Sequence, residues 1–353
     1  MMGIVFEHSM VYHKYQTLPE NLLGIAFIQL FKFVTIAFFI IGGFLINHKF
    51  QEYTPGQYLK NRFANTVKPW LFWLIILISL DFLHLFYRHI RYQSPIPFFN
   101  TFLSHDLSQT ILYTSFWFIP NFLICISVLL IFRRFLYKLW FGIFLGIVSS
   151  IYSVNIYWHW FIPDHTTALF GFVCYLWLGV YMNKHYDKVV LLMKQISYAK
   201  LIIINIILFG LATAESMYIF QKGDLDYANT LRITNIFFSL GMFALLLKIG
   251  KINWISNNLA PRKTTFGIYL THWMILTYLI PPIILILYHI NLNDLTVFQS
   301  VGLTLVRFTI IYIASFLLVQ IIALTKYKWL IGIKPEEKKK NAPLKALELQ
   351  HQS

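Results

Sequence analysis

The sequence predicts an all-α, polytopic transmembrane helical bundle with nine full spans plus a truncated first span. Three observations carry this expectation. Of 353 residues, 58% are hydrophobic and only 12% are charged, about half the charge of an ordinary soluble domain. Apolar runs recur along the whole chain at the length, about 20 residues, that crosses a hydrocarbon core as a helix. Between those runs, loops rich and poor in Lys and Arg alternate, as they do in a chain threaded back and forth through a membrane.

The chain opens on "GIVFEHSM", an apolar stub that turns polar at Glu7-His8-Ser9 and is too short to cross a bilayer. Full spans are expected near 24–47, 69–88, 111–132, 136–157, 168–184, 200–221, 231–249, 265–288 and 301–325. The fifth is short, and Pro281-Pro282 should kink or end the eighth. The loop after the first span carries Lys49, Lys60, Arg62 and Lys68; the next has only Arg88 and Arg91. Arg133, Arg134 and Lys138 then fill a tight turn, whereas "HWFIPDHTT" has no Lys or Arg. Lys184, Lys188, Lys194 and Lys200 follow, and Lys222 and Arg232 are offset by Asp224 and Asp226. Lys248, Lys251, Arg262 and Lys263 form another rich loop, and "HINLNDLTVFQS" is again bare.

By the positive-inside rule the rich loops and the lysine-rich tail are cytoplasmic, and the segment before residue 24 is outside. "MMGIVFEHSMVY" then reads as the last third of a first span whose beginning is absent, as in a truncated or mis-started reading frame. A short interfacial segment is the alternative. Residues 1–330 are expected to form one membrane-embedded domain, and 331–353 a basic, disordered cytoplasmic tail.

The net charge of +15 is explained by topology-setting loops rather than by nucleic acid as a partner. Cys125 and Cys174 lie in apolar runs and suggest neither a disulfide framework nor zinc. No phosphate-cradling glycine loop, Cys/His metal cluster or nucleophile elbow is present, so no metal is expected. No inverted repeat speaks for a secondary transporter.

Ionisable groups within apolar spans are costly and each needs a reason. His8 suits general-base work on a hydroxyl, with Glu7 beside it, or is an interfacial histidine at a helix end. Adjacent helical residues point about 100° apart, so Glu7 need not touch His8. Lys32 either snorkels outward or faces a polar cavity. Asp81 and His84, three residues apart, read as an ion pair more than a proton relay. Glu215 and Arg307 are expected to pair with each other or with Lys32. His272 alone reads as a satisfied core histidine, and the Trp clusters "FWFIP" and "WHWF" as interfacial anchors.

Several stretches in order resemble the acyltransferase-3 family of polytopic bacterial membrane acyltransferases. "IVFEHS" resembles the end of its first span, a histidine followed by a small residue. "KFVTIAFFIIGGFLI" matches its second-span motif, with Lys32 in the basic position and Gly42 where Ser is common. "YLKNRFANTVKPWLFW", "SFWFIPNFLI" and "TTFGIYLTHWMIL" resemble its later motifs. The segment "FGFVCYLWLGVYMNKHYDKV" is similar to a subgroup found in polysaccharide intercellular adhesin operons, described both as exporters and as O-succinyltransferases.

The resemblance implies a ten-span pattern in a bacterial cell membrane with the C-terminus inside. It implies transfer of an acyl group, expected to be acetyl, from cytoplasmic acyl-CoA to a hydroxyl of a cell-surface polysaccharide or its lipid-linked precursor. It places the catalytic residue at His8, with Glu7 beside it. It implies substrate binding by Lys32, Arg62, Lys60, Lys68, Trp117 and His272. Expected partners are the glycan, the phospholipid bilayer and other polysaccharide-synthesis membrane proteins. The family's Arg-x-x-Arg carries over only to Arg62, because Asn65 stands in the second position, and its upstream arginine has no counterpart here. The alternative is an export protein for surface polysaccharide without acyl-transfer chemistry.

Overall fold

The computed structural model describes residues 1–11, 14–93, 99–282 and 292–333, and among them every regular element is a helix. The short α1 (Met2–Ser9) is followed by α2 (Leu18–Gln29) and α3 (Val34–Glu52). A small helix α4 (Pro55–Arg62) leads through a π-helical turn (Phe63–Val67) into α5 (Lys68–Tyr92). Next come α6 (Phe99–Tyr113), α7 (Phe118–Ile131), α8 (Leu139–Trp158), α9 (Val173–Lys184) and α10 (Tyr186–Gln195). The chain continues with α11 (Tyr198–Gln221), α12 (Ile233–Ile249), α13 (Asn253–Asn258), α14 (Pro261–Met274) and α15 (Val297–Ala323).

Six helices among the described residues are long and apolar enough to cross a membrane, or seven if a bent pair counts as one. The chain is therefore a multi-pass helical membrane bundle. Its spans are less regular than the sequence suggests. The first expected span lies within one crossing, Leu18–Phe50, in which a turn at residues 30–33 separates α2 from α3. The third is a pair bent by 76° at Thr114. The eighth passes from α14 into a π-helical turn, Ile275–Leu279, and its end at 283–288 lies outside the described residues, as do 334–353 of the expected tail.

Both π-helical turns stand just before prolines, at Pro69 and at Pro281-Pro282. A proline ring clashes with the carbonyl four residues back. A π turn shifts that carbonyl's register, so the chain continues as helix instead of breaking.

The fifth expected span, α9, has only 12 residues, about 18 Å of helix. It does not need bilayer length because protein surrounds it. Val173, Leu176, Trp177 and Val180 are buried, and α9 lies directly against α3. Small residues make that crossing close. A Cβ on Gly43 would sit 1.9 Å from the Leu176 carbonyl oxygen, and one on Gly179 would sit 1.9 Å from that of Ile40. Close backbone approach at glycine is how helices associate where water supplies no hydrophobic drive.

The basic loops gather at one end of the bundle. Arg133 reaches the Tyr53 carbonyl, Tyr137 bonds Asn47, Lys184 lies over the Tyr137 ring, and Lys248 bonds the Met193 carbonyl. At the other end Asn229 bonds the Pro163 carbonyl and His159 pairs with Asp224. This segregation is what a membrane-imposed orientation requires.

The stub is packed into the bundle. Val5, Phe6 and Ser9 of α1 are buried, and α1 is wedged among α3, α14 and α15.

Gly179→Val should push α3 and α9 apart and lower the melting temperature in detergent by several degrees, the effect of overpacking by about 1–3 kcal/mol or more. Gly210 has open space where a Cβ would stand, with no atom within 4 Å, and should accept Ala without loss. Equal melting temperatures for the two variants would refute this account of the crossing.

Candidate active site

The irregular points of the bundle converge on one polar cluster. Lys32 lies in the α2–α3 turn, where single tightened bonds such as Lys32 N–H to Gln29 O (3.3 Å) satisfy the backbone. Its side chain is 8% exposed, and its Nζ donates to Glu7 Oε1 at 2.6 Å. Lys32 thus neither snorkels nor stands free; its charge is met by α1. Glu7 turns toward Lys32, and no bond joins it to His8, as the angle between neighbouring helical positions allows.

His8 ends α1. Its ring is 5.4 Å from that of His272 and packs edge-on against Trp273 at 5.3 Å. His272 is fully buried near the end of α14. Its Nδ1 lies 3.0 Å from the Ile268 carbonyl oxygen and 2.8 Å from that of Tyr269. A carbonyl only accepts, so Nδ1 carries the proton and Nε2 is left as an acceptor. That Nε2 is buried and has no hydrogen-bond partner among the described residues. His272 is therefore a half-satisfied histidine, not the satisfied core residue that its setting in the sequence suggests.

Trp117 is buried at the break between α6 and α7. Backbone groups freed by that break are bonded from outside it. Tyr269 Oη donates to Ser115 O (2.7 Å), and the Trp70 indole donates to Phe116 O (3.3 Å). Irregular backbone in a bilayer is tolerated only with such partners. Trp117 packs edge-on against His165 at 5.4 Å. His165 in turn lies within electrostatic reach of Lys32, Glu7 and His8. Sequence reasoning missed His165, treating "HWFIPDHTT" only as a loop without cations. A histidine flanked by polar residues in a loop that returns into the bundle was the available signal.

The structure does not bring Lys60, Arg62 and Lys68 into this cluster. They follow the far end of α3, whose 19 residues span about 28 Å. Lys60 and Lys68 are exposed. Arg62 donates from Nε to the buried Tyr58 hydroxyl at 2.7 Å, and Lys68 lies over the Trp329 ring at 4.7 Å. Asn65, in the family's second arginine position, bonds the Asn61 carbonyl.

Two pairings differ from expectation. Glu215 meets neither Arg307 nor Lys32. It accepts from the hydroxyls of Tyr157 and Thr234 and lies 3.5 Å from Arg232. Arg232, which the sequence suggests is a loop cation, is fully buried. It also donates to the carbonyl of Ala212 and to Gln29 Oε1. Burial demands several partners at once, and this pocket supplies them where Arg307 is not placed to. Asp81 accepts from Tyr278 Oη, while His84 is exposed on α5.

Compared with known families, residues 1–324 match the model described as an acyltransferase domain, acyltransferase-3. The chain belongs to that family. It is an integral membrane acyltransferase, transferring groups other than amino-acyl groups. No curated protein and no solved structure matches the chain. The acyltransferase therefore works beside a lipid bilayer on an acceptor substrate, and its cluster of histidines lies inside the matched region.

Removing one member of the Lys32–Glu7 pair should destabilise the acyltransferase by about 3–5 kcal/mol, because a buried charge loses its counterion. Glu7→Met combined with Lys32→Met should recover most of that loss. Thermal unfolding of the singles and the double in detergent checks this; a double variant that is as unstable as the sum of the singles would show that the pairing is not what counts.

Proposed function

We propose that the protein is an O-acyltransferase that moves an acyl group, acetyl being the expected one, from cytoplasmic acyl-CoA to a hydroxyl of a cell-surface polysaccharide or its lipid-linked precursor. In this reading the membrane is a bacterial cell membrane and the basic end is cytoplasmic. The observation that carries the proposal is the packing of the His8 ring against that of His272, whose Nε2 is bare, inside a membrane acyltransferase.

His272 Nε2 can only accept a hydrogen bond. A His8 N–H turned toward it leaves the other His8 nitrogen free to take a proton. That nitrogen would deprotonate the acceptor hydroxyl as its oxygen forms a bond to the acyl carbon. The thioester C–S bond breaks, and the proton passes to the leaving thiolate. Lys32 holds a positive charge near the carbonyl where negative charge develops, and Glu7 keeps Lys32 in place. Trp117 and His165 bound the same space.

Lys60, Arg62 and Lys68 would bind the donor's phosphates at the basic end by charge-assisted contacts. A cavity of about 300 Å³ supports a path from there. Its lining includes Leu259 and Pro261 at the basic end, and Gly3, Val34 and Ala37 beside the cluster. Thr264, also in the lining, is eight residues before His272, about 12 Å along α14.

Base-labile acyl esters on the surface polysaccharide, quantified by mass spectrometry, test the reading. His8→Ala should lower them by about 10²- to 10⁴-fold, the usual worth of a general base, with the protein still inserted. Lys60→Ala with Lys68→Ala should raise the half-saturating donor concentration and weaken its salt dependence, with kcat kept. Ester content that does not respond to His8→Ala would exclude acyl transfer by this cluster.

A further inference from the structure

A second cavity, of about 290 Å³, is lined in part by Trp273, whose ring packs edge-on against His8. We infer that it is the acceptor subsite, and that it takes a polyhydroxylated sugar ring by hydrogen bonds from the ring's hydroxyls to Asp106 and its neighbours. This rests on the acyl-transfer reading above and names where and how the acceptor is held.

The lining is unlike that of the first cavity. It brings together Asp81, Asp106, Gln109, Thr110 and Trp273, with Leu77 as an apolar wall. The walls are α5, the arm α6 of the bent pair, and the end of α14 with its π turn. Asp81 is 13 residues beyond Lys68 on α5, about 20 Å from the basic end. The cavity is thus on the side away from the donor-binding lysines. Trp273 both lines it and packs edge-on against His8. A ligand resting there is one indole away from the proposed base.

The chemistry of the lining selects the ligand. Asp81 already accepts from Tyr278 Oη. Asp106 Oδ2 is shielded from solvent and has no hydrogen-bond partner among the described residues. An unpartnered carboxylate oxygen costs free energy until a donor reaches it. Asp81 and Asp106 are close enough to repel, and both face the same cavity, so the site favours a donor-rich ligand over an anionic one. A sugar ring offers several hydroxyl donors around an edge and an apolar face of C–H groups that suits an indole. The volume is near the lower limit of small-molecule sites, which fits one ring rather than a long segment of chain.

The experiment uses the full chain in membrane vesicles, with labelled acetyl-CoA as donor. Methyl glycosides of common hexoses are the acceptor probes, alongside the cell's own surface glycan. Donor hydrolysis without acceptor is read in parallel. Asp106→Asn and, on the exposed rim, Gln109→Leu should each raise the half-saturating acceptor concentration by about tenfold or more, equivalent to one lost hydrogen bond of about 1.4 kcal/mol. The half-saturating donor concentration and the donor hydrolysis should be unchanged. Parental half-saturation by acceptor in both variants would overturn the subsite. A parent chain that acylates neither probe nor glycan would instead overturn the acyl-transfer reading on which the subsite rests. If both variants lose donor hydrolysis along with acceptor saturation, the carboxylate serves folding, and the subsite fails.

Discussion

The contact between Lys32 and Glu7 organises the centre of this acyltransferase. An ammonium group in the middle of an apolar bundle is sustained only by a counterion with good geometry. Here the counterion comes from α1, so satisfying Lys32 seats the stub. Seating the stub has a second result: His8, the next residue, is carried to the ring of His272. The carboxylate therefore acts on the histidine through the backbone and not through a bond to the imidazole.

The same economy explains why the helices are broken where they are. A continuous α2–α3 helix would carry Lys32 on a regular surface among apolar neighbours. The turn at 30–33 lets it leave that surface. The bend at Thr114 delivers Trp117, and the π turn after α14 follows directly on His272, Trp273 and Met274. Each break frees backbone groups in a region without water. Each is repaired by a side chain or a tightened turn, as with Tyr269 on Ser115 and Trp70 on Phe116. Aromatic side chains with polar tips are suited to such repairs, since the ring packs while the tip bonds. The 34 Phe, 21 Tyr and 10 Trp thus serve two purposes, filling the bundle and mending its irregular joints.

The membrane class and the alternation of basic loops were legible in the sequence because both depend on composition and order alone. The basic loops do come together at one end. His8, Glu7, Lys32 and His272 were legible as ionisable groups in apolar runs, and they meet in space. What the sequence hid is pairing. Glu215 looked equally suited to Arg307 and Lys32, and only the folded chain selects Arg232, a residue that its acidic neighbours Asp224 and Asp226 made look solvated. The breaks were hidden as well. Hydropathy averages over a turn of three or four residues, so 24–47 looks like one span, and α9 looks like a weak span rather than a short helix packed against glycines. His165 was hidden because a loop without lysine or arginine was read only for its charge.

In the proposed reaction one membrane domain would serve a donor and an acceptor from opposite sides. The two cavities differ in chemistry. One is apolar and runs toward the basic end; the other is lined by carboxylates, an amide and hydroxyls. Under that proposal neither would need to open fully through the bundle, because a flexible thioester arm and a single sugar ring would meet only at one point. An open polar path would be a liability, since water would compete for the acyl group and ions would leak. His272 is buried, His8 is half-buried, and Trp273 packs edge-on against His8, so aromatic rings surround the point where the proposed transfer would occur. In the proposed reaction, dense aromatic packing around the cluster would keep water from competing for the acyl group while it is transferred.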